Sequence, residues 1–97
     1  MTANYTDLEN KSVFVTGGGS GIGAEITKAF IQQGAKVTFV QRSDAREFCD
    51  EIEAEFNSRP YFIKCDITDL EALKGAVESA SSVHGDVEVL INNAAND

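Results

Sequence analysis

Thr16-Gly17-Gly18-Gly19-Ser20-Gly21-Ile22-Gly23 is the stretch on which the reading of this chain turns. It follows Val13-Phe14-Val15, a short apolar run rich in β-branched residues that reads as a strand. It leads into Ile22, Ile26, Ala29 and Phe30, which recur at helical spacing. A glycine-rich turn between strand and helix has a physical use. Glycine takes positive φ freely and lets backbone approach a ligand closely. The helix opening there offers unpaired N–H groups and a partial positive charge, which suit a pyrophosphate. Ile22 is expected to point into the core and seat the helix, and Gly23 to let it pack closely on the sheet. Gly-x-x-x-Gly-x-Gly in this position says more than a lone Gly-x-Gly-x-x-Gly; the bland alternative is a flexible loop.

Outward from the turn, the chain alternates between two patterns. Val13–Thr16, Val37–Val40, Tyr61–Ile63 and Val87–Ile91 read as strands. Three helical stretches separate them. The first stops at Gly34. The second runs from about Ser43 to Asn57, with Ala45, Phe48, Ile52 and Phe56 on one face and Glu47, Asp50, Glu51, Glu53 and Glu55 on the other. The third carries Leu70, Leu73, Val77 and Ala80, and the capping-box spacing of Thr68 and Glu71 predicts its start at Thr68. The order β-α-β-α-β-α-β with short connections implies α/β architecture: a doubly wound parallel sheet of the Rossmann kind. Right-handed crossovers predict strand order 3-2-1-4, with the switch point, where ligands bind, beside strand 1. No linker or repeat divides residues 1–97, which read as the N-terminal, dinucleotide-binding part of one domain.

Composition narrows the function classes. The chain has 97 residues, 42% hydrophobic and 25% charged, as in a globular domain. Sixteen Asp+Glu against eight Lys+Arg give a formal charge of -8. That balance repels a phosphate backbone and an anionic membrane, so neither nucleic acid nor membrane is an expected partner. No apolar run approaches a membrane span, and Asp7 and Glu9 interrupt any secretory signal in the first ten residues. Two cysteines make no disulfide framework and point to a reducing cytoplasm. One histidine and no Cys-x-x-Cys leave no expected metal site.

Three motifs together carry a family resemblance. Thr16-Gly17-x-x-x-Gly21-Ile22-Gly23 resembles the cofactor motif of short-chain dehydrogenases/reductases, and so does its lead-in, Asp7 to Lys11. Cys65-Asp66-Ile67-Thr68-Asp69 follows the third strand, where that family keeps an Asp for the adenine. Asn92-Asn93-Ala94-Ala95 follows the fourth and resembles the family's Asn-Asn-Ala-Gly, with Ala95 in place of glycine. The resemblance spans essentially the whole chain, and Asn92 to Asp97 is similar to bacterial sugar 1-dehydrogenases. It implies an NAD(P)-dependent oxidoreductase acting on an alcohol or carbonyl, and a homo-oligomer when full length. Gly17, Gly19, Ser20, Gly21, Ile22, Gly23, Cys65, Asp66, Ile67, Asn92, Asn93, Ala94 and Ala95 are the cofactor-binding positions it implies. One of the two asparagines braces neighbouring backbone, and the other lies near the ribose.

Cofactor choice rests on the end of the second strand, where an acid would favour NAD by binding the ribose 2′-hydroxyl. Gln41, Arg42 and Ser43 stand there instead. Gln41 can bond a hydroxyl without repelling a phosphate, and Arg42 can grip a 2′-phosphate or stack on adenine. Ser43 can add a bond or cap the second helix. NADP is therefore favoured over NAD, unless Arg42 is a solvated partner of Asp44.

The remaining chemical residues have plainer roles. Cys49 reads as packing, and Cys65 lacks a neighbouring base. His84 reads as a cation at a helix C-terminus. Neither Tyr5 nor Tyr61 has a lysine four residues on, so the family's Tyr-x-x-x-Lys pair is absent and no catalytic residue is assigned here. The expectation is that catalysis lies beyond residue 97. A dinucleotide sensor without chemistry is the alternative. A methyltransferase fits less well, because Gln41 replaces the acid such a site wants for the ribose.

Overall fold

The strand pattern of the sequence is realised with small shifts of boundary. The computed structural model describes residues 8–19 and 21–93. The elements are β1 (Ser12–Thr16), α1 (Gly21–Gln32), β2 (Lys36–Gln41), α2 (Arg46–Phe56), β3 (Tyr61–Lys64), α3 (Leu70–His84) and β4 (Val89–Asn92). The four strands form one parallel sheet in the order β3-β2-β1-β4. Val13 pairs with both Val37 and Val89, and Thr16 with both Val40 and Asn92, so the carboxyl ends of the inner strands lie level.

Alternation along the strands divides the core. Val13, Val15, Val37 and Phe39 face α1 and α2, where they meet Ile31, Cys49 and Ile52. Phe14 and Val40 face the other way, onto Ala76 and Ala80 of α3. β1 is buried along its whole length, as a strand covered on both faces must be. Phe39 is the centre of the larger cluster. Its ring stacks on Phe62 at 5.2 Å and meets the edge of Phe48 at 5.8 Å. Such pairs each add about 0.5–1.5 kcal/mol beyond the area they bury.

Several expectations about the helices are corrected. Ile22 is 74% exposed, and Ala29 is exposed too. The buried face of α1 is Gly23, Thr27 and Ile31, with Ile26 and Phe30 beside it. Each helical residue turns the chain by about 100°. Once Gly23 faces inward, Ile22 must face out. On α3, Leu70 is 74% exposed and Ala76 takes the expected buried place. The α3 cap moves by one residue. Asp69, not Thr68, is the N-cap, and its carboxylate accepts from the Ala72 N–H at 3.1 Å. Thr68 is turned instead towards Asp66, to whose Oδ1 both its N–H and its hydroxyl donate. α2 starts at Arg46, after Ala45, which offers no side-chain cap. The Arg46 N–H donates to the Asp44 carboxylate at 3.0 Å, and Ser43 accepts from Gln41 instead of capping. Gly34 does end α1, at φ +87°, with the Ala35 N–H bonded back to Phe30.

Candidate cofactor site

The glycine turn leaves β1 at the switch point and is fixed by side chains from three elements. Gly17 has φ +71°, which glycine takes without strain. The Gly17 N–H bonds the Val40 carbonyl at 2.7 Å, and its own carbonyl accepts from Asn93 Nδ2 at 3.2 Å. The Thr27 hydroxyl donates to the Gly18 carbonyl at 2.9 Å. The Gly19 N–H donates to Gln41 Oε1 at 2.8 Å. Gly23 packs directly against this turn. A side chain there would collide with the Gly17 carbonyl and with Asn93.

The end of β4 joins the same network. The Asn93 N–H donates to the Thr16 hydroxyl at 2.9 Å, and that hydroxyl donates to Asn92 Oδ1 at 3.1 Å. Asn93 is thus the residue bracing neighbouring backbone, and Asn92 is the exposed one.

Beyond β2 and β3 the surface opens. A cavity of about 270 Å³ is lined by Arg42, Lys64, Cys65 and Asp66. Asp66 Oδ1 accepts both Thr68 bonds, which hold its carboxyl below the usual carboxylate range; Arg42 adds to this. The Cys65 thiol is pushed up by burial and further by Asp69 and Asp66, which makes it a poor nucleophile. Asp44 is held bidentate by Arg46, at 2.8 Å from Nη2, and its pKa falls to about 2 through those bonds. Arg46 is thus a partner of Asp44, the residue that the plainer reading of Arg42 paired with Arg42. Ile67 and Asn92 line a separate cavity of about 290 Å³, together with Phe14, Thr16, Leu73, Val77 and Leu90.

The sequence-named residues thus gather at one end of the sheet. Gly17, Gly19, Gly21, Ile22 and Gly23 form the turn and the first residues of α1; Gln41, Arg42, Ser43, Cys65 and Asp66 lie across from it; Asn92 and Asn93 close the β4 side. Ser20, Ala94 and Ala95 lie outside the described residues. Gln41 differs from expectation in orientation: it is 3% exposed and bonded to the protein. Thr27 and Lys64 had no part in the sequence reading, and Thr16 entered it only as the last residue of the first strand and the first of the glycine motif. Thr27 had a signal, four residues after Gly23 on the same helical face.

A cavity elsewhere, of about 370 Å³, opens along β3 and includes Arg59, Tyr61 and His84. It shares no lining residue with the turn. His84 corrects another expectation. Burial, and then Lys36, push its pKa below 6.5, so at neutral pH it is neutral and not a helix-end cation. Among the described residues no group of three or more His, Cys, Asp or Glu could hold a metal ion. No described helix is long and apolar enough to cross a membrane.

With this geometry the comparison with known proteins is direct: residues 11–96 match the short chain dehydrogenase family. The chain belongs to that family. It is 41% identical to the probable galactose dehydrogenase of Rhizobium meliloti over 99% of its length. It is 43% identical to D-xylose 1-dehydrogenase of Caulobacter vibrioides, also over 99%. It spans 38% of the length of each of these relatives. Among solved structures, L-sorbose reductase of Gluconobacter frateurii superposes with a TM-score of 0.84 at 31% identity, over 92% of this chain and 35% of that one. The sheet order expected from the sequence is the order of this short-chain dehydrogenase domain.

Proposed function

We propose that this chain is the dinucleotide-binding part of an NAD(P)-dependent oxidoreductase, that NADP(H) is its preferred cofactor, and that its substrate is a sugar alcohol or carbonyl group. Nicotinamide, when bound, supplies the hydride acceptor or donor. The chain's own residues bind and orient. The start of α1 receives the pyrophosphate, helped by the absence of any acid in that first turn, whereas α2 and α3 carry Glu47 and Glu71 there. Asp66 keeps its second carboxylate oxygen for the adenine amino group, since Oδ1 serves Thr68.

The observation that carries the NADP preference is the charge at the end of β2. Arg42 and Lys64 line that cavity against the single carboxylate of Asp66. A 2′-phosphate meets two cations there. The sorbose reductase structure was solved with NADPH and L-sorbose, and two relatives are named for galactose and xylose. Both facts support the reading.

The test has two stages. Sequencing the coding DNA past codon 97 asks whether a serine and a Tyr-x-x-x-Lys pair follow. If they do, the full-length protein is assayed with NADP⁺ and NAD⁺ on aldoses, and Arg42→Ala is expected to lower the NADP⁺ preference about tenfold or more. A stop codon there overturns the enzyme reading and leaves a dinucleotide-binding module; no aldose turnover overturns the sugar substrate.

A further inference from the structure

Gln41 touches every loop that bounds the adenosine end of the site. Its backbone carbonyl accepts from the Cys65 N–H at 2.9 Å, which fixes the β3–α3 turn. Its side-chain Oε1 accepts from the Gly19 N–H at 2.8 Å, which fixes the glycine turn. Its Nε2 donates to the Ser43 carbonyl at 3.1 Å and to Ser43 Oγ at 3.0 Å, which fixes the β2–α2 loop. The residue is 3% exposed, so both ends of the amide act inside the protein.

We infer that Gln41 is a positioning residue for the cofactor's ribose 2′ end and acts through Ser43 and Gly19 without contacting the cofactor. This rests on the dinucleotide reading above. Ser43 carries the consequence. A hydroxyl has one hydrogen to donate and two lone pairs. Gln41 occupies a lone pair, so the Ser43 hydrogen is left to point outward from an exposed residue. An outward donor beside Arg42 suits an acceptor-only group, as a 2′-phosphate is. Gly19 sits in close register with this strut, since a side chain on it would meet Gln41 Oε1 at 2.5 Å.

No similar residue can replace the amide. Aspartate is one methylene shorter than the reach to Gly19 requires. Glutamate still accepts from Gly19 but has no hydrogen for Ser43, and its charge faces the Ser43 carbonyl. Methionine keeps the length and volume and makes neither bond.

The experiment uses the full-length protein with Gln41→Met, Gln41→Glu, Ser43→Ala and the Met/Ala double variant. Two quantities are read: amide exchange of Gly19 without ligand, and dissociation constants for 2′,5′-ADP and 5′-AMP. Gln41→Met is expected to speed Gly19 exchange and to weaken 2′,5′-ADP about tenfold, with little change for 5′-AMP. Gln41→Glu is expected to keep Gly19 protected and still lose the 2′,5′-ADP preference. Adding Ser43→Ala to Gln41→Met is expected to cost nothing further. Unchanged Gly19 exchange in Gln41→Met, equal weakening of both ligands, or additive losses would each overturn the inference. If the unaltered protein binds neither ligand, the dinucleotide reading fails and takes the role at the ribose with it. Unchanged preference for 2′,5′-ADP in Gln41→Met, beside an intact dinucleotide reading, rejects the positioning role alone.

Discussion

The hydroxyl of Thr27 donates to the carbonyl oxygen of Gly18 at 2.9 Å, deep in the protein, and so fastens helix α1 to the turn that precedes it. Thr27 is fully buried, and Gly18 is closed in between it and Phe39. Removing the hydroxyl while keeping the shape leaves the Gly18 carbonyl without this donor. Thr27→Val is therefore expected to destabilise the protein by about 1–3 kcal/mol. Urea unfolding checks this. The midpoint should fall while the slope with denaturant stays constant. An unmoved midpoint would mean that another group satisfies the carbonyl.

Two helical glycines make opposite predictions. A Cβ on Gly23 runs into the Gly17 carbonyl, which is backbone and cannot swing aside. Gly23→Ala should cost about 1–3 kcal/mol and open the turn. A Cβ on Gly75 meets nothing within 4 Å, and the residue lies exposed inside α3. Gly75→Ala should stabilise by about 0.5–1 kcal/mol through helix propensity alone. Paired melting curves of the two variants test both. Shifts of the same sign would contradict the account of Gly23.

These residues also show what the sequence could and could not disclose. Val13-Phe14-Val15 and Val37–Val40 announced strands because β-branched apolar runs suit a sheet buried on both faces, and the glycine turn announced the switch point. The rotation of α1 was harder to see. Its inner face uses Gly23 and Thr27, neither of which registers as apolar, so the pattern pointed one residue early, at Ile22. The α3 cap lies one residue away from where a spacing rule put it, and Thr68 is turned towards Asp66 instead. Gln41 was visible as a position, but the direction of its amide depends on Gly19, twenty-two residues away in sequence.

His84 makes stability depend on pH in a defined window. It is the chain's single histidine, its Nε2 is buried without a hydrogen-bond partner, and its ring meets Tyr61 edge-on. Burial lowers its pKa from 6.5; Lys36 adds to that, and a backbone bond with Val37 opposes it. With a folded pKa below the unfolded one, the unfolded chain binds the proton first as pH falls. Stability should then be complete above about pH 6.5 and decline as pH drops towards the folded value. The carboxylates with lowered values, Asp44, Asp66 and Glu88, add losses of the same sign only at more acid pH. His84→Gln should flatten the profile between about pH 7 and 5.5. Urea midpoints across that range, with the imidazole titrated by NMR, check it. A histidine titrating above 6.5 would reverse the slope.

The outer side of β4 leads to the last expectation. β4 pairs with β1 on one side and, among the described residues, ends the sheet on the other. Leu90 is 64% exposed there, and it lines an apolar cavity with Phe14, Leu73 and Val77. A strand edge with unpaired N–H and C=O groups beside exposed apolar side chains is a template for pairing with another chain. A polypeptide of these 97 residues alone should therefore self-associate at micromolar concentration. Leu90→Lys sets a charge on that strand and should shift it towards monomer, because pairing would then desolvate an ammonium. Light scattering after size exclusion measures both. A monodisperse monomer of the unaltered sequence, with a sharp reversible thermal transition, would show that β4 needs no further partner.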